Sequence, residues 1–176
     1  VTPVGALRPP WMRLLGARIG LRVELSTVWQ VSPELLVAGD ESFFADGAVI
    51  GRRHVFGGSV ELAVNRIGRR SFVGNNALLS PGACLGNGCL LGVLSTPPAQ
   101  PAQTRDGSEW LGSPAFPLPS RQKIGGFSET VTYRPSGKLY AQRLLVDAMR
   151  ILVPFLLGIG GVVVFCLWLI AAYRHG

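Results

Sequence analysis

Residues 67–96 read IGRRSF VGNNAL LSPGAC LGNGCL LGVLST when cut every six residues. Each six opens on Ile, Val or Leu, Gly follows in four of the five, and Ser, Ala or Cys stands fifth. A period of six matches neither the 3.6 of an α-helix nor the alternation of a strand, and short repeats of this kind mark a parallel β-helix. Three sixes make one triangular coil. The opening residues point inward and stack at roughly 4.8 Å, and Gly serves the corners. Counting back from Ile67 gives opening positions at Leu62, Phe56, Ile50, Phe44 and Ala38, with one residue missing between Leu62 and Ile67. Val31, Leu25 and Ile19 precede them, with one residue added after Val31. Residues 19–96 therefore make thirteen sixes, about four coils of a mainly β domain, enough stacked repeats to bury a continuous core. An unstructured Gly-rich segment would not keep the apolar residues in phase.

The chain has 176 residues and is 48% hydrophobic, and part of that apolar content lies at its end. Ile151 to Tyr173 carry no charge between Arg150 and Arg174. They rise roughly 34 Å as a helix, enough to cross a hydrocarbon core of about 30 Å. A soluble domain of this size cannot hide every face of such a helix. Four segments follow: residues 1–18, with a short cap or interfacial helix carrying Trp11, Leu14 and Leu15 on one side; a repeat domain over 19–119; a linker and amphipathic lead-in over 120–149; and a transmembrane helix over 150–173. The chain starts at Val1 without the features of a signal peptide, and it reads as a piece of a longer polypeptide.

Seventeen Lys and Arg against ten Asp and Glu give a net charge of +7, gathered near the ends of the repeat domain. That placement suits anionic lipid headgroups, and the positive-inside rule sets the domain on the cytoplasmic side of a cell membrane. No nucleic-acid motif accompanies the charge, so nucleic acid is not an expected partner. Three cysteines make no disulfide framework, and Cys84 and Cys89 fall within the repeats, Cys89 on the small fifth position. With His54 and His175 as the histidines, a three-histidine zinc site cannot form within one chain, and no metal is expected.

Taking every third six as one side stacks VSPELL, IGRRHV, IGRRSF and LGNGCL. This register sets His54 about one strand spacing, roughly 4.8 Å, from Ser71. It also crowds Arg52, Arg53, Arg69 and Arg70 on one side, where like charges repel unless an anion or solvent intervenes. Two readings of each remain open. His54 is either a general base that takes a proton as an acyl thioester is opened, or a structural histidine. The arginines, with Ser71, either hold a phosphate of coenzyme A or phosphopantetheine or form a solvated face. Asp46 and Glu61 are both available to orient the histidine, and the spacing selects neither.

PPWMRLLGARIG, LLVAGDESFFADGAVIG, GRRHVF, the sixes from Ile67, WLGSPAFPLP, the GGFSETVTYRP linker and a membrane helix occur in that order. Together they resemble the C-terminal hexapeptide-repeat and membrane region of ε-poly-lysine synthetase-type non-ribosomal peptide synthetases. WLGSPA is also similar to the Gly-x-Pro-Ala closing motif of hexapeptide-repeat acyltransferases, here Gly112, Pro114 and Ala115. The resemblance implies a left-handed β-helix, amide-bond formation, and sister β-helix domains in a pseudo-trimer or homotrimer. It further implies carrier and adenylation domains as partners, a donor thioester on phosphopantetheine or coenzyme A, and a catalytic role for His54. This stretch holds one repeat domain and no adenylation or carrier segment, so it cannot activate an amino acid by itself. Two other functions stay open: a catalytically silent scaffold for sister domains, and a coenzyme A-dependent sugar acyltransferase.

Overall fold

Short strands recur along the chain and pair with strands one coil away rather than with their sequence neighbours, the wiring of a parallel β-helix. The computed structural model describes residues 8–28, 30–51, 53–98, 104–119, 128 and 133–175. One ladder joins β1 (Arg18–Ile19), β3 (Leu36–Ala38), β8 (Asn65–Ile67) and β11 (Cys84–Leu85), all parallel. A second joins β2 (Glu24–Leu25), β4 (Phe43–Phe44), β9 (Phe72–Val73), β12 (Leu90–Leu91) and β13 (Glu109–Leu111), again parallel. The third side holds β5 (Val49–Ile50) against β10 (Leu78–Leu79). At the N-terminal end α1 (Arg8–Leu14) packs Met12 on the core, and at the other end the Gly112–Ala115 stretch turns β13 back into antiparallel β14 (Phe116–Pro117).

The opening residues of the sixes form the core. Leu25, Ala38, Phe44, Ile50, Ile67, Val73, Leu79, Leu85 and Leu91 are all buried, and each fully buried Leu or Ile contributes roughly 1.5–3 kcal/mol of transfer free energy. Glycine follows where coils touch most closely: a Cβ on Gly68 would lie 2.3 Å from the Gly86 carbonyl oxygen. On one side the fifth positions, Ser42, Ser71 and Cys89, form a buried polar column. Ser71 Oγ donates to Gly86 O at 2.7 Å and accepts the Cys89 N–H at 3.1 Å, so its hydroxyl serves the backbone.

The register differs from the sequence reading at one place. Ala38 pairs with Ile67, 29 residues on, whereas Ile67 pairs with Leu85, 18 residues on. The eleven extra residues leave the helix as an antiparallel hairpin of β6 (His54–Phe56) and β7 (Ser59–Glu61). Gly57 and Gly58 turn it with φ of 54° and 76°, the positive pair a tight two-residue hairpin requires. Phe56 and Leu62, expected inside, are exposed. His54 pairs with Glu61 in register and does not stack on Ser71; Ser42 takes that place in the column.

Residues 136–176 form a separate unit made of α2 (Gly137–His175). The lead-in is continuous with the apolar segment. α2 is long and apolar enough to cross a membrane.

Candidate functional site

The root of the β6–β7 hairpin carries a cleft of about 360 Å³ lined by Gln30, Val31, Ser32, Gly51 and Arg53. The chain turns at Gln30 and Gly51 through left-handed conformations, φ 48° and 66°. Gly51 N–H donates to Leu79 O at 2.8 Å just before the hairpin leaves the coil. On the returning side Asn65 is buried, and its Oδ1 accepts the Ala83 N–H at 2.9 Å. A Cβ on Gly51 would meet Asn65 Nδ2 at 2.5 Å, so the two ends of the excursion fit closely. The lining supplies a hydroxyl, an amide and a guanidinium, groups suited to an anion or a carbonyl oxygen. Arg53 lines the cleft, His54 follows it in the chain, and Glu61 stands opposite His54 in the backbone register.

Arg52 lies outside the described residues. Arg69, Arg70 and Ser71 belong to a different place, the corner between the first and second ladders, and are not brought beside the hairpin by the register. At that corner Arg22, Glu41 and Arg70 occupy equivalent turn positions with φ of 54°, 60° and 53°. Arg70 Nε donates to Glu41 Oε2 at 2.6 Å and Arg22 Nη2 to Oε1 at 2.7 Å. Arg134 Nε lies 3.8 Å from the same carboxylate, and the Tyr133 ring lies 4.6 Å from the Arg70 guanidinium. The Arg70 hydrogen bond, then that of Arg22, holds the Glu41 carboxyl down to about 2. The anion that crowded arginines call for is supplied here by the chain itself. Arg69 is exposed, 3.8 Å from Asp40.

Asp46, weighed as a partner for His54, accepts instead from the Ser26 hydroxyl and from Thr27 N–H at 3.0 Å; these bonds, Ser26's first, lower its pKa.

Sequence reasoning missed Gln30 and Ser32, which no local pattern distinguishes, and Glu41, which reads as an ordinary corner residue. The missing residue before Ile67 was the available signal for the excursion.

No family model matches the chain. It is 40% identical over 152 residues to a delta-poly-L-ornithine synthetase of Acinetobacter baumannii, a match that takes in 86% of this chain and 11% of that protein's length. Among solved structures, a maltose O-acetyltransferase from Clostridium difficile aligns with a TM-score of 0.48 at 15% identity, covering 66% of this chain and 75% of that one. A hexapeptide-repeat acetyltransferase from Vibrio cholerae aligns at 0.43 and 16% identity, over 68% and 82%. Structural likenesses this weak say nothing of function.

Proposed function

We propose that the chain is a membrane-tethered, acyltransferase-like domain of a poly-amino-acid synthetase of the non-ribosomal kind, and that its β-helix is left-handed and lies on the cytoplasmic side. The observation that carries the reading is the 40% identity to a delta-poly-L-ornithine synthetase over nearly the whole chain, joined to a cleft at the root of the hairpin that bears His54. The substrate amine attacks the carbonyl carbon of an aminoacyl thioester. His54 accepts the ammonium proton as the C–N bond forms, the C–S bond breaks, and the thiolate leaves on phosphopantetheine of a carrier domain or on coenzyme A. Arg53 holds the donor's phosphate or the developing oxyanion, with Gln30 and Ser32 as further donors. Carrier and adenylation domains supply the thioester, and sister β-helix domains complete the assembly.

A second reading has its own support. Arg69, Arg70 and Ser71 are engaged in corner packing away from the hairpin, which fits a silent scaffold for sister domains. Replacing His54 with Ala in the intact synthetase separates the two. The catalytic reading predicts a loss of roughly 10²–10⁴-fold in polymer formation from a carrier-bound donor. Unchanged product formation would remove the catalytic role of His54 and favour the scaffold.

A further inference from the structure

α1 is apolar on two opposite faces. Pro9 is buried, Met12 packs on the core, and Arg13 Nε donates to Ile19 O at 2.9 Å, so these residues hold the helix on the end of the β-helix. The other face, spaced three and four residues apart, carries Trp11 and Leu14 and continues into Leu15, with exposures of 59%, 80% and 46%. A cap on a water-facing domain presents polar residues there. Arg18, exposed, follows the face in the chain. Glu34, packed beside Gly16, offsets part of the local charge.

We propose that this face is an interfacial anchor. Trp11, Leu14 and Leu15 lie in the boundary between headgroups and acyl chains of a phospholipid bilayer, with Arg18 toward lipid phosphates. The inference rests on the reading of α2 as a membrane span. Trp and Leu beside Arg are the composition of membrane-interface belts and amphipathic surface helices. A face of three residues binds a free vesicle weakly. The β-helix unit, however, ends at Pro135 and α2 begins at Gly137, so a bilayer crossed by α2 is presented to it at high effective concentration. The consequence is functional: two attachments, at α1 and through α2, would fix the orientation of the hairpin cleft over the membrane, where one tether alone would let the unit swivel.

The test uses the full chain in nanodiscs of phosphatidylcholine, with or without phosphatidylglycerol, made with ordinary or brominated acyl chains. The chain has four tryptophans, Trp11, Trp29, Trp110 and Trp168, and Trp11→Phe and Trp168→Phe variants assign the emission of those two by difference. The anchor predicts that bromine quenches the Trp11 component as well as that of Trp168, which lies in α2. It also predicts that Arg18→Gln lowers the ratio of docked to undocked unit roughly five-fold in anionic discs, the weight of one basic group near such a surface. Quenching of Trp168 with Trp11 untouched overturns the anchor and leaves the span standing. Quenching of neither removes the span and the anchor with it. Trp11 shielding that appears in lipid-free detergent and rises with protein concentration assigns the face to a second copy and overturns the anchor. Leu14→Trp in the Trp11→Phe background reports the same face should Trp11→Phe alter the cap.

Discussion

Glu41 is the residue on which the corner between the first two ladders turns. Three guanidinium groups approach one carboxylate whose side chain is 2% exposed, and Arg22, Glu41 and Arg70 all hold left-handed backbone. Such conformations are costly for residues with side chains and persist where surrounding contacts determine them. The folded protein holds the Glu41 proton less tightly than the unfolded chain, with a pKa of about 2 against 4.5. Its contribution to stability is therefore complete above pH 4.5 and is lost as pH falls toward 2. Thermal unfolding of wild type and Glu41→Gln over that range checks this: the variant is less stable at pH 7 and loses less on acidification. Equal acid sensitivity of the two would show that the corner does not depend on this charge.

At the scale of elements, the regular sixes from Ile67 onward were legible because one apolar residue in six faces a core shared by every coil. Leu79, fully buried on the third side, belongs to that core. Leu79→Ala is expected to cost about 2–5 kcal/mol in denaturant unfolding, and a cost near zero would mean that this side is not packed. The hairpin was not legible. Phe56 and Leu62 have the apolar character of opening positions, and His54–Phe56 and Ser59–Glu61 have the length of β-helix strands, so a six-residue count runs through them. What separates them is pairing. Ile50 and Ile67 are 17 residues apart in the sequence, one six plus the eleven of the excursion, and the count absorbed this as two sixes with a slip. A repeat pattern specifies which residues can face a core, but backbone partners decide which do. The candidate site suffered the same error. Arg53 kept a cleft, with His54 next to it in the chain, while Arg69, Arg70 and Ser71 went to the corner, where neighbouring coils supply Glu41, Gly86 and Cys89 as partners.

Across the molecule, the ladders on either side of the hairpin are continuous without it: β3 pairs directly with β8, and β4 with β9. The β-helix is thus the rigid part that positions the cleft, and the hairpin is an addition to it that carries the candidate chemistry. Removing residues 53–63 from the intact synthetase brings Ile50 and Ile67 to the six-residue spacing of the other repeats. This change tests the division between scaffold and site most directly, with polymer formation and the β-helix's thermal unfolding read on the same preparation. The account predicts that folding is retained while polymer formation falls to the level of His54→Ala; full activity in the shortened protein would contradict it.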